Sequence, residues 1–155
     1  MAAEPRRHLL EIVPAKPEDL DAIMEIERLS FKSPWTRQMF VEELRRDFAR
    51  LDVLRDAEGR ILGFVNHWLV YDEVHVLNIA VHPEFRRRGY GERLMRHVLK
   101  FAGASGCRLV TLEVRRSNEA AKRLYGSLGF RPTGVRPNYY AEDGEDAIVM
   151  VLLLP

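Results

Sequence analysis

Residues 74–114 constrain the fold more than any other part of the chain. VHVLNIAVH (74–82) is rich in β-branched and apolar residues, as a strand against a core should be. GYGERLMRHVLKFAGASG (89–106) has helical spacing: Leu94, Val98 and Phe101 or Ala102 share one face, with Met95 and Leu99 beside it. CRLVTLEV (107–114) returns to strand character. Strand, helix, strand in this order predicts a right-handed crossover between parallel strands.

The flanks add elements of both kinds. HLLEIV (8–13) reads as a short strand. PEDLDAIMEIERLS (17–30) opens on proline and acids, suited to a helix N-terminus, and Leu20, Ile23, Met24 and Glu27 follow one stripe. SFKSPW (30–35) breaks that helix, because the residue before Pro34 avoids helical backbone. TRQMFVEELRRD (36–47) restarts one, with Thr36 as cap. Runs 49–56, 60–71 and 73–82, separated by AEG and YDE, predict an antiparallel meander. SNEAAKRLYGSLGF (117–130) is a helix capped by Ser117 or Asn118 and stopped at Gly129, and 131–154 ends the chain as strand, loop, strand. The sum is an α/β chain with a mixed sheet. Its 155 residues are expected to form a single domain, 1–155.

The loop joining the first crossover strand to its helix is PEFRRRGYG (83–91). A helix start offers N–H groups without intrahelical partners and the positive end of the dipole, a ready site for phosphate. Gly89 and Gly91 let a ligand approach main chain, while Arg86, Arg87 and Arg88 add charge. Net charge over the chain is only +1, so the arginines are a local device. That balance predicts neither nucleic acid nor a membrane surface as a direct partner. A dinucleotide fingerprint fails, because Leu94 stands where its third glycine belongs, and no Gly-Lys-Ser/Thr loop is present. The lone cysteine, Cys107, excludes an internal disulfide framework and reads as a buried structural thiol. No run reaches membrane-spanning length and MAAEPRRHLLEIV lacks signal-peptide architecture, so a cytoplasmic protein is expected. His67, His75 and His82 have no metal-ligand spacing, and no metal is expected.

Arg86, Gly89 and Gly91 form an R-x-x-G-x-G pattern. With NIAVHPEFRRRGYGERLM around it, this resembles the acyl-CoA pyrophosphate loop of the GNAT superfamily of N-acetyltransferases. LEVRRSNEAAKRLYGSLGF (112–130) resembles the second half of the same core. SFKSPWT (30–36) and NYYAEDGEDAIVM (138–150) are similar to the bacterial ribosomal-protein-alanine N-acetyltransferases within it. The resemblance implies a GNAT fold of about seven strands and four helices, mostly antiparallel with a central parallel pair. It also implies acetyl-CoA as co-substrate and a protein N-terminus as acceptor, the alanine of a small-subunit ribosomal protein. A monomer or weak dimer is expected.

By the same resemblance, Ile79, Ala80 and Val81 hold the acetyl and pantetheine part at a strand bulge, and residues from Arg86 through Tyr90, Gly91 and Glu92 hold the pyrophosphate. Glu113 is implied as general base, through a water, and Tyr125 as general acid toward the CoA sulfur. Spacing alone makes Glu113 a solvent-facing strand carboxylate and Tyr125 a core tyrosine. Asn118 is implied as a CoA contact and also reads as a helix cap. Trp35, Tyr139 and Tyr140 are implied as walls and hydroxyls around the acceptor. The acids near 142–146 either attract its ammonium group or form a solvated turn. An α-amine with pKa near ~7.8 is roughly one-third neutral close to physiological pH, while a lysine near ~10.4 is neutral about once per thousand molecules. An N-terminal acceptor therefore asks little pKa adjustment of Glu113. A lysine or small-amine acetyltransferase, and a CoA-binding module without catalysis, are the competing readings.

Overall fold

The computed structural model describes residues 9–155. Strand β1 (Glu11–Pro14) is followed by a 3-10 turn (Pro17–Asp19) that leads into helix α1 (Leu20–Ser30), then by α2 (Arg37–Arg45). Strands β2 (Ala49–Arg55), β3 (Ile61–Val70) and β4 (Glu73–Val81) come next. A second 3-10 turn (Pro83–Phe85), α3 (Tyr90–Ala104), β5 (Leu109–Arg115), α4 (Glu119–Ser127), β6 (Arg131–Tyr140) and β7 (Glu145–Leu153) complete the order. The strands form one mixed sheet in the order β1-β2-β3-β4-β5-β7-β6. β4 and β5 are the parallel pair, with Glu73 opposite Leu109 and Val76 opposite Leu112. β1 with β2, β5 with β7, and β6 with β7 are antiparallel.

Element ends differ from the sequence reading for local reasons. β1 begins at Glu11 because its partner there, Arg55, is the last residue of β2. His8, where the strand was expected to begin, lies outside the described residues, as does the leading MAAEPRR. The first turn of the 17–30 helix is 3-10, and Asp19 within it accepts from the Lys16 N–H at 2.9 Å and pairs with Arg55 at 3.1 Å. Cys107 is expected to open β5 but instead ends α3: its N–H donates to the Ala102 carbonyl at 3.0 Å after Gly106, at φ +75°, reverses the chain. Thr36 and Asn118 cap as expected, accepting from the N–H of Met39 at 3.3 Å and of Ala121 at 3.1 Å.

Packing divides the chain into two compact units. One is the chain through His67 together with Asn78–His97; the other is Trp68–Leu77 with Val98–Pro155. In the first, Leu20, Ile23 and Ile26 of α1 pack with Phe40 of α2 and with Leu51, Val53 and Phe64. Phe40 and Phe64 meet edge-to-face at 5.8 Å. Fully burying one such side chain contributes about 1.5–3 kcal/mol. In the second unit, Val110, Leu112 and Val114 of β5 are buried, as are Tyr125, Phe130 and Met150. β6 is exposed along its length except at Tyr140, and carries Pro132 and Pro137, which remove donors from an edge strand. No helix among the described residues is long and apolar enough to cross a membrane.

Candidate active site

The arginine–glycine loop lies in the first unit. His82 Nδ1 accepts from the Glu84 N–H at 3.1 Å and starts the 3-10 turn. Arg87 at φ +64° and Gly89 at φ +81° then fold the chain into the start of α3. A Cβ on Gly89 meets nothing within 4 Å, so glycine is required there for its backbone angle and not for space. Gly91 lies inside the first turn of the fifteen-residue α3, and the Arg93 N–H donates to the carbonyl of Gly89, just ahead of the helix, at 3.0 Å. The loop therefore leads through a positive-φ glycine into the N-terminus of a long helix, where N–H groups lack intrahelical acceptors.

The three arginines separate in role. Arg86 donates from Nε to the Val81 carbonyl at 2.9 Å and from Nη2 to Ser30 Oγ at 3.0 Å, tying the end of β4 to the end of α1. Its guanidinium is therefore engaged within the protein. Arg88 lies over the Phe85 ring at 5.6 Å, with Arg60 over the same ring at 5.4 Å. Tyr90 opens α3, and Glu92 pairs with Arg96 one turn on, at 2.8 Å.

Ile79, Ala80 and Val81 form the last part of β4, beyond Val76, the last β4 residue paired in parallel, with Leu112 of β5. Gly63 on β3 keeps that segment close: a Cβ at Gly63 would lie 2.8 Å from the Ala80 carbonyl oxygen and 3.3 Å from the Val81 Cα. Trp35 packs its ring against Phe40 at 5.2 Å, and its N–H donates to Glu27 Oε2 at 2.9 Å.

The other expected residues lie in the second unit. Glu113 on β5 stands opposite Val149 of β7, and its side chain is 17% exposed. Spacing alone made it a solvent-facing carboxylate; it is instead largely covered, with Arg136 Nε 3.4 Å from Oε2. Thr111, two residues before it on the same strand, is also buried. Tyr139 and Tyr140 meet edge-to-face at 5.1 Å. Burial, and then the Glu113 charge, raises the Tyr139 phenol, which Arg136 partly offsets. Tyr140 is pushed up to about 12, by burial first and then by Tyr139. Tyr125 on α4 is buried with its ring 5.9 Å from Phe130, and burial holds its phenol far above the usual range. It reads as both a core tyrosine and a firmly protonated phenol. Asn118 caps α4 with its carbonyl oxygen, which leaves its amide nitrogen out of the cap.

Arg115 is the residue that sequence reasoning missed here. It pairs with Glu142, with Asp143 at 3.0 Å and with Glu145 at 2.9 Å, and stacks over Tyr140 at 4.0 Å. Glu145 also accepts from the Ser117 N–H at 2.7 Å, and these bonds lower its pKa to about 2. The acidic turn is thus neither a bare attractant for an ammonium group nor a freely solvated loop: it is tied to β5. No residue pattern announced this, because the partners are about thirty positions apart.

The Acetyltransferase (GNAT) family model matches residues 20–130. The chain belongs to that family. It is an N-acetyltransferase, and its mixed sheet with one parallel pair is the GNAT fold. It is 39% identical to the ribosomal protein bS18-alanine N-acetyltransferase of Salmonella typhimurium, over 86% of this chain and 90% of that one. The crystal structure of the ribosomal-protein-S18-alanine N-acetyltransferase from Escherichia coli matches with a TM-score of 0.85 and 34% identity, covering 94% of each chain. Ard1 from Thermoplasma volcanium matches with a TM-score of 0.86 and 28% identity, over 94% of this chain and 98% of that one.

Proposed function

We propose that this chain transfers an acetyl group from acetyl-CoA to the α-amine of a protein N-terminus, the alanine of a small-subunit ribosomal protein. The observation that carries the reading is the carboxylate and phenol set of the second unit. A largely covered Glu113 can accept a proton, and a buried Tyr125, held protonated, can give one. Similarity to relatives named for this reaction, along almost the whole chain, supports the choice of acceptor.

The loop ahead of α3 is suited to the diphosphate of acetyl-CoA, through the main chain around Arg87, Arg88, Gly89, Tyr90, Gly91 and Glu92. Ile79, Ala80 and Val81 orient the acyl end through backbone groups. Glu113, through a water, takes the proton that the attacking amine loses as the N–C bond forms. Tyr125 gives a proton to sulfur as the C–S bond breaks, and one proton has then left nitrogen and one has reached sulfur. Trp35, Tyr139 and Tyr140 bound the acceptor in this reading, and Asn118 adds a CoA contact through its amide nitrogen. One domain does all of this, in the cytoplasm.

Purified protein incubated with acetyl-CoA and an alanine-initial peptide is expected to acetylate the peptide's α-amine, read by mass spectrometry. A version blocked at its N-terminus but carrying lysine is expected to stay unmodified. Acetylation of the blocked peptide at a comparable rate would replace this reading with a lysine acceptor. Tight CoA binding with no transfer to any amine would replace it with a non-catalytic module.

A further inference from the structure

Glu27 is 1% exposed, yet it sits in the apolar stripe of α1 among Leu20, Ile23 and Ile26. A buried carboxylate is costly unless its oxygens are occupied by donors. Those donors come from two places. Oε2 accepts from the Trp35 N–H at 2.9 Å. Asn78 Nδ2 lies 3.3 Å from Oε1 and 3.4 Å from Oε2. Asn66 Nδ2 in turn reaches Asn78 Oδ1 at 3.5 Å. The Glu27 carbonyl also accepts from the Phe31 N–H at 3.1 Å, which ends α1. One residue therefore holds both ends of the loop 31–35: Phe31 through main chain and Trp35 through side chain. Its other hydrogen-bonding side chain, Asn78, immediately precedes Ile79–Val81 on β4.

The geometry points to Glu27 as a positioning residue that fixes the acceptor loop at Trp35 against the Asn78 position of β4. It touches neither substrate; it acts through Trp35 and Asn78. The inference rests on the reading of 30–36 as part of the acceptor site. Burial raises the carboxyl's pKa, while the Trp35 and Asn78 hydrogen bonds favour its charged form.

Glu27→Met keeps length and helix preference but removes both acceptors, leaving the Trp35 N–H and the Asn78 amide without a partner. KM for the alanine-initial peptide is expected to rise at least tenfold, with KM for acetyl-CoA within twofold of wild type. Glu27→Gln is expected to recover most of this. Its oxygen can take the Trp35 N–H, and Asn78 and Asn66 can turn their amides over together, because buried Asn66 Oδ1 has no hydrogen-bond partner among the described residues. Ile23→Ala, a cavity on the same helix, controls for general loss of stability and is expected to leave the ratio of the two KM values unchanged. Hydrogen exchange supplies a readout independent of the acceptor: amides of 31–36 are expected to exchange at least tenfold faster in Glu27→Met, with those of β4 unchanged. Equal shifts of both KM values, the same ratio change in Ile23→Ala, or unaltered exchange in 31–36 would each overturn the assignment. Should wild-type protein fail to acetylate the peptide, the acceptor reading falls, and the exchange result alone decides whether Glu27 holds the loop.

Discussion

Glu113 and Tyr125 show how differently a single residue reads before and after folding. Nothing in the alternation of β5 separates a catalytic carboxylate from a solvated one; the resemblance supplied the role. Folding adds the covering that the proposed roles need: Glu113 is mostly buried beside Arg136, and the Tyr125 phenol is held protonated by burial. Glu113→Gln removes the proton acceptor and preserves shape, while Tyr125→Phe keeps the ring against Phe130 and removes the hydroxyl. General acid–base groups contribute typically 10²–10⁴-fold. Each variant is expected to lose at least 100-fold in kcat while binding CoA within about twofold of wild type, by steady-state kinetics and calorimetry. Near-normal kcat in both would remove these assignments. Glu27 was half legible, since a glutamate inside an apolar stripe signals a carboxylate drawn into a core. Arg115 was not legible, because charge pairing across thirty positions depends on strand register.

Elements were more legible than residues, because hydrophobic period and capping act over short distances. Every helix and strand of the sequence reading exists, and Thr36 and Asn118 cap where expected. The ends moved where tertiary partners intervene, as where Arg55 ends the β1 ladder. The two glycines of the α3 loop, equal in the sequence, are unequal in the fold: Gly89 carries the positive φ, and Gly91 is an ordinary helical residue. Gly89→Val forces a branched side chain into a left-handed backbone and is expected to weaken CoA binding at least tenfold. Arg87→Ala and Arg88→Ala are each expected to weaken it only a few-fold; the reverse ranking would mean that side-chain charge holds the cofactor. Gly63 falls within the strand run 60–71, and a close approach between neighbouring strands leaves no mark in local sequence. Its Cβ position is closed by the Ala80 carbonyl at 2.8 Å, so Gly63→Ala must displace β4. KM for acetyl-CoA is expected to rise in that variant, while Gly103→Ala, in open space on α3, leaves it unchanged.

On the scale of the whole chain, strand order was the least legible property. The sequence ends in strand, loop, strand, and nothing local says that β7, the later strand, pairs with β5 while β6 takes the edge. The buried polar groups gathered by such ordering were equally hidden, and one of them sets a pH dependence. His67 on β3 is fully buried, and desolvation lowers its pKa to about 4. Asp52 opposes that shift, while His97 and Arg50 add to it; His97 Nε2 lies 2.9 Å from Asp52 Oδ2. An unfolded chain takes up this proton below pH ~6.5, but the folded chain takes it up only below about 4. Between those values the unfolded state binds more protons, so stability rises with pH: the contribution is complete above about 6.5 and is lost as pH falls toward 4. A shift of this size corresponds to on the order of 3 kcal/mol. Glu27 works in the opposite sense, because its raised pKa lets the folded state hold a proton above the ordinary carboxylate range, so its contribution declines as pH rises. The two are separable by substitution. Denaturant unfolding of wild type at several pH values between 7 and 4 is expected to show the falling stability. In His67→Gln, which has no proton to gain, the slope over that interval is expected to flatten by about one proton. Parallel curves for the two proteins would show that His67 does not govern acid sensitivity.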